Sequence, residues 1–248
     1  MGNHSRQNEE LAAMWRRAPS DVAYRATREN ISGLIEARPE LADQVVPACP
    51  EWKVRDLLAH VVGNCRSEHP VLADDPQSVR PVDELDISEL IDEWSQTGPE
   101  VEQLLGERNG LNERMMVMDV FTHELDLRRV VEETAPEDHP AFPTAISVLL
   151  GGFSVSVNAR GLPALRVETE GADWLIGTGD EAATVRANRF DLYRSMAGRR
   201  THQQIAGLSW SAPADTWLPA FTWGPFHPPT QATEDMIGTD DAYEGSLV

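Results

Sequence analysis

The chain has 248 residues, 41% of them apolar, enough to bury a core in one large domain or two modest ones. Aspartate and glutamate number 41 against 21 lysines and arginines, a net charge of −20 at pH 7, which argues against nucleic acid or an anionic membrane as the main partner. Residues 1–10 are polar with no apolar signal region, and the longest apolar stretch, around Ala145–Val157, is broken by Ser and Gly short of the ~20 residues that span a bilayer, so the expectation is a soluble cytoplasmic protein.

The first half carries helical periodicity. From Glu9 to Ala37 the apolar residues Leu11, Met14, Trp15, Val22, Ala23, Ala26, Ile31 and Leu34 mostly keep helical spacing, with Pro19 as a break and Pro39 as the end. Val45 to Trp52 contains Pro47 and Pro50 and reads as a loop with an aromatic anchor. A helix over Lys53–Ser67 follows, its buried side formed by Val54, Leu57, Leu58, Val61 and Val62. A polar loop runs from Pro70 to Asp86, and two further helices, Ser88–Gly106 and Asn112–Glu132, are separated by Asn109 and Gly110. Helices in this order predict a four-helix bundle over residues 1–138.

Beyond the linker Ala135–Pro140 the pattern changes. A helix over Pro143–Val157 leads into short, glycine-bounded strands at Ala164–Thr169, Asp173–Gly177 and Ala183–Ala187, spaced as hairpins are. Asn188, with Asp191 three positions on, is placed to cap a helix that ends at Gly198. The fold class expected is therefore α+β: the bundle, a smaller mixed domain over 139–229, and an acidic, aperiodic, floppy tail over 230–248.

Two of the predicted bundle helices repeat one arrangement. Asp56 and His60 stand four residues apart on one, and Asp119 and His123 on another, a spacing that brings side chains within ~6 Å on one helix face. Asp126 lies nearly two turns beyond Asp119 and shares its face. Histidines on facing helices with one carboxylate build divalent-metal sites, and three protein ligands leave a coordination position open for chemistry. Each group also has a plainer use: Asp56 at a helix start complements the dipole, and Asp126 with Arg129 makes an ordinary surface pair. His69 is out of phase with His60, while His4, His139, His202 and His227 fall in a terminus or in expected loops without visible partners. Cys49 and Cys65 are too few for a disulfide scaffold and not spaced as metal ligands, and Cys65 reads as a buried structural thiol. Trp174, Trp210, Trp217 and Trp223 read as core and domain-interface packing. There is no phosphate-binding glycine loop and no nucleophile elbow.

The run Val46 to His60, containing Val46-Pro47-Ala48-Cys49-Pro50-Glu51-Trp52 and Asp56-Leu57-Leu58-Ala59-His60, resembles the N-terminal signature of the mycothiol-dependent maleylpyruvate isomerase family of actinobacteria. Asp119 to Leu127, with its carboxylate four residues before a histidine and an Asp beyond, resembles the family's second signature, and Thr184–Arg200 resembles its smaller C-terminal domain. The resemblance implies a DinB-like four-helix bundle followed by a sterol-carrier-like α+β domain. It implies a zinc or other divalent ion held by His60, His123 and Asp119, and mycothiol as thiol cofactor. The family's usual ligand is Glu where this chain has Asp119, an arm shorter by ~1.3–1.5 Å, so the helix or metal shifts, a water intervenes, or Asp126 takes over. Lys53 likewise stands where Thr or Ser often caps the helix.

The implied chemistry is addition of a metal-stabilised thiolate to an electron-poor double bond. Rotation and elimination isomerise the substrate, whereas protonation leaves an S-conjugate, so isomerase and S-transferase are both open. The resemblance places Arg199 where a cation would hold the substrate's carboxylate or enolate; by its position alone Arg199 serves equally as a helix C-terminal cation. The other functions weighed are a metal-dependent hydrolase using activated water and a non-catalytic binding protein on the same scaffold. The partners expected are a small electrophilic substrate and a low-molecular-weight thiol, with no nucleic acid and no membrane.

Overall fold

Pro19 decides where the first helix begins. It donates no N–H and holds an extended ψ of 148°, so α1 runs Ser20–Glu36 and residues 16–19 are not helical, shorter than the expected Glu9–Ala37. The computed structural model describes residues 15–69, 71–72, 79–108 and 110–237. Leu11, Met14 and the rest of the expected helix before Trp15 lie outside them, as do His4, Pro70, most of the Pro70–Asp86 loop's first half, Asn109 and positions 238–248 of the expected tail.

Helix α1 turns Ala23, Tyr24, Thr27, Ile31 and Ile35 inward on one stripe. After a 3-10 turn at Pro39–Asp43 comes a small antiparallel ribbon, β1 (Val45–Val46) and β2 (Cys49–Lys53), where the sequence reads as loop. Its partners are too short for a periodic signal, and the register slips between Val45 and Val46. Helix α2 (Val54–Glu68) buries the five apolar residues expected of it together with Cys65. Its Asp56 carboxylate accepts the Lys53 backbone N–H at 2.9 Å, while the Lys53 ammonium reaches Asp43 at 2.7 Å. Asp56 thus serves the helix start, the plainer of its two uses.

Helix α3 (Ile87–Glu107) opens on a reciprocal capping box: Asp86 accepts the Ser88 and Glu89 N–H groups, and Glu89 accepts that of Asp86. Gly98 lets the Arg28 side chain cross α3, since a Cβ there would stand 2.7 Å from Arg28 Cδ. Arg28 thereby reaches buried Glu102 at 2.7 Å, which Arg25 also meets at 2.8 Å. Helix α4 (Leu111–Val130) is the inner one: from Val120 to Arg128 every residue is buried, so its polar groups must find partners inside. Helices α1 and α2 each pack on α3 and α4, giving the expected four-helix arrangement.

The described residues divide into two compact units, 16–148 and Trp15 with 149–237, the boundary falling inside α5 (Phe142–Ala159). Among the described residues α5 alone is long and apolar enough to cross a membrane, with mean hydropathy 1.4, and 56% of it is buried, as in a core helix.

The second unit holds a sheet ordered β4-β3-β5-β6, from β3 (Ala164–Thr169), β4 (Ala172–Ile176), β5 (Glu181–Arg186) and β6 (Ser209–Trp210). The first three strands fall where sequence places them, but only β3 and β4 form a hairpin. Strand β5 crosses over to lie parallel to β3, a pairing that side-chain alternation cannot distinguish from a second hairpin. Asn188 caps α6 (Arg189–Met196) through the Phe190 N–H, and Gly198, at φ +70°, follows its end as expected. A short α7 (His202–Ala206) completes the unit.

Of the four tryptophans assigned to packing, Trp217 is buried and the others are half-buried. The indole N–H groups of Trp210, Trp217 and Trp223 each bond a backbone carbonyl, which explains how amphipathic rings tolerate that position. The tail expected over 230–248 is anchored in its described part, because Glu234 is buried and ion-paired to Arg194 and Arg200.

Candidate metal centre

Helices α2 and α4 face each other with His60 on one and Asp119 and His123 on the other, and one ligand atom from each lies within 4.8 Å of the other two. Asp119 Oδ2 is 3.5 Å from His60 Nε2, and Oδ1 is 3.7 Å from His123 Nε2. A tetrahedral ion with bonds of about 2.1 Å sets its ligands about 3.4 Å apart, and each histidine stands near that distance from an Asp119 oxygen, although from a different oxygen in each case. His60 and Asp119 are 32% and 35% exposed, so the cluster is open to a small molecule, while His123 is buried.

Around these three the neighbours restrict the rings. Asn64, one turn beyond His60, donates its amide N–H to Asp119 Oδ2 at 2.9 Å and lies 3.2 Å from His60 Nε2. Trp52, delivered by β2, stacks on the His123 ring at 5.8 Å between centroids and tilts over His60 at 5.0 Å. Asp126 is wholly buried, and its Oδ2 lies 3.3 Å from His123 Nδ1, on the far side of the ring from Asp119. It is therefore not a surface residue: its charge lies behind the His123 ring, although the buried Nδ1 makes no hydrogen bond. The shorter arm of Asp119 still brings its carboxylate within 3.5–3.7 Å of both histidines.

Electrostatically, burial would push the Asp119 carboxyl up, but the His60 hydrogen bond, the charges of His123 and His60 and the Asn64 amide together hold it below the usual carboxylate range. Burial pushes the Cys65 thiol up, and its Sγ faces Thr97 Oγ1 at 3.7 Å, in keeping with a structural thiol. The thiol near the centre is the half-buried Cys49, 4.0 Å from Asp126 Oδ2.

Other expectations shift. His139 has partners after all: it is buried, stacks on Phe121 at 4.7 Å, and places Nε2 3.0 Å from both Glu124 and Asn30. Its Nδ1 accepts the Ala141 N–H, and Glu124 accepts Arg128 Nε at 2.7 Å through its other oxygen. His69 ends α2, accepting the Val71 and Leu72 N–H groups at Nδ1. Arg199, half-buried in the second unit, donates to Ala197 O at 2.8 Å at the end of α6, the geometry of a helix-terminal cation. Sequence reasoning missed Asn64, although it lies at i+4 from His60, the same spacing that singled out the histidines. Trp52 had no such signal, because a two-strand ribbon places it.

Residues 24–103 match the family model of the mycothiol maleylpyruvate isomerase N-terminal domain. That is the family the motifs resemble. The matched stretch contains the Val46–His60 motif, and Asp119 to Leu127 lies beyond it. Two crystal structures share the fold. A mycothiol-dependent maleylpyruvate isomerase is 14% identical, with a TM-score of 0.52, and its histidine-to-alanine variant is 13% identical, with a TM-score of 0.53. Each alignment covers 78% of this chain and 92% of the other. No curated protein matches the sequence. The mycothiol maleylpyruvate isomerase fold, helices followed by a mixed α+β sheet region, is thus the fold expected from the resemblance.

Proposed function

We propose that this protein is a metal- and thiol-dependent enzyme acting on a small electrophilic substrate by isomerisation or S-transfer. The observation that carries the reading is the convergence of His60, Asp119 and His123 within 4.8 Å on facing helices, in a fold shared with a mycothiol-dependent maleylpyruvate isomerase. The donor set, two imidazole nitrogens and one carboxylate oxygen, fits zinc or a similar divalent ion and leaves a coordination position open. Bound there, the ion would lower the pKa of a thiol such as mycothiol and supply the nucleophile at neutral pH.

The chain's own residues set the conditions for that chemistry. His123 turns Nε2 toward Asp119, and Asp126 sets a negative charge 3.3 Å behind Nδ1. Asn64 holds the Asp119 carboxylate, and Trp52 packs on both imidazoles. The family resemblance alone supports Arg199 as the group that meets the substrate's negative charge; on that reading Arg199→Lys keeps the charge but loses the planar fork, so turnover should fall more than metal content.

Elemental analysis after dialysis tests the metal: about one equivalent per chain is expected, lost in His60→Ala, His123→Ala and Asp119→Ala and kept in Asp119→Glu. Unchanged stoichiometry in both histidine variants sinks the site. Turnover of an electrophile panel is then compared with mycothiol, another thiol and none, and Cys49→Ser should leave thiol dependence intact. Full activity without thiol points instead to the hydrolase, and inactivity across the panel to a binding protein.

A further inference from the structure

Asn64 follows His60 by one turn of α2, a spacing that brings its amide to the same helix face. The amide nitrogen lies 2.9 Å from Asp119 Oδ2 and 3.2 Å from His60 Nε2, so it joins α2 to α4 at the cluster itself. Asp119 Oδ2 and His60 Nε2 are 3.5 Å apart. The three atoms thus form a triangle whose sides all lie near the spacing of about 3.4 Å between neighbouring ligands of a small divalent ion.

One corner of that triangle carries the wrong atom for a cation. An amide nitrogen is a donor only, whereas the amide oxygen is an acceptor with two lone pairs, and asparagine supplies that oxygen to divalent ions. The two atoms are alike in size and exchange places by a half-turn about Cβ–Cγ, a broad and soft torsion. Turning costs nothing at Oδ1, which makes no hydrogen bond among the described residues, and half-buried Asn64 can give its N–H groups to water. The bond surrendered is the N–H to Asp119 Oδ2. The sign of the charge at the centre decides between the two orientations: a bare carboxylate attracts the amide hydrogens, and a carboxylate sharing its charge with a divalent ion does not.

We propose that Asn64 is a fourth protein ligand, binding through Oδ1 when His60, Asp119 and His123 hold a divalent ion. The inference rests on the metal reading given above and changes its donor set to two nitrogens and two oxygens. The position that three ligands leave open is then occupied at rest, and a thiol enters either as a fifth ligand or in place of Asn64.

Zinc affinity of the full chain, read by competition with a chelator, separates a ligand from a hydrogen-bonding prop. Asn64→Leu keeps the bulk and removes both amide atoms, and affinity should fall at least about tenfold. Asn64→Asp keeps an oxygen at the same reach and removes the N–H, so affinity should equal or exceed that of the unaltered protein. A crystal structure of the zinc-loaded unaltered protein decides without any variant: Oδ1 is expected within about 2.3 Å of the ion. Three results overturn the proposal and leave the three-ligand site standing: an amide nitrogen still on Asp119 in the loaded protein, an affinity unchanged in Asn64→Leu, or an Asn64→Asp affinity as low as that of Asn64→Leu. An unaltered protein that takes up no zinc overturns the proposal and the metal reading together.

Discussion

His60, Asp119 and His123 in the helical unit, and Asp191, Arg194, Arg200 and Glu234 in the other, are both clusters of ionisable side chains, and they differ in how partners are shared. In the second, acids and bases pair at hydrogen-bond distance and almost nothing is exposed. In the first, three metal-type donors converge within 4.8 Å of one another, with about a third of His60 and Asp119 open to solvent. Closed pairing holds a chain segment in place, whereas convergent donors with access can hold something that comes from outside.

The largest expected effect breaks the comparison if it fails. Arg200→Ala strands buried carboxylates and should cost about 3–5 kcal/mol of stability in chemical denaturation. His60→Ala, at a half-exposed position, should cost no more than about 1 kcal/mol while abolishing metal binding. Equal losses in the two would mean that both clusters are structural.

Asp126→Asn sharpens it. Removing the charge behind His123 should weaken zinc affinity about 10–100-fold by competition with a chelator, without changing the saturating stoichiometry. An unaltered affinity would mean that packing alone orients the ring.

A pH experiment addresses Asp119. Its carboxyl is held below the ordinary carboxylate range in the folded state, so the unfolded chain takes up the proton first as pH falls. The stabilisation is complete above the ordinary range and is lost as the pH drops through the folded value. Asp119→Asn should therefore flatten the acid limb of stability against pH, measured without added metal; an unchanged limb would show that the histidines and Asn64 do not hold the charge.

The smallest effect concerns neither cluster and calibrates the rest: Asp86→Ala removes the α3 cap and should cost about 1 kcal/mol, with metal content untouched.

Much of the fold was legible because helices α2 to α4 carry apolar residues at a period that local backbone geometry imposes, and their ends fall within two residues of expectation. Strands β3 to β5 were visible for the same reason. Their order was not, since alternation says which face is buried and nothing about which neighbour a strand chooses. The three site residues stood out through i, i+4 spacing and through motifs that resemble a family. Asp56 fits the same spacing and goes to a helix cap, because its place in the first turn outweighs its distance from His60.

The sequence by itself determined the helix windows, the α+β order, the acidic balance and the residues able to ligate a metal, all of which depend on local spacing or residue type. Tertiary structure decided that Asp119 stands near both histidines while Asp126 lies behind His123, that Trp52 packs on both rings, that His139 is a buried neighbour of Glu124, and that Glu234 ends in an arginine fork. Those outcomes turn on which side of a ring or helix meets another element far along the chain, and that direction is set by how the helices and strands pack, which no local pattern records.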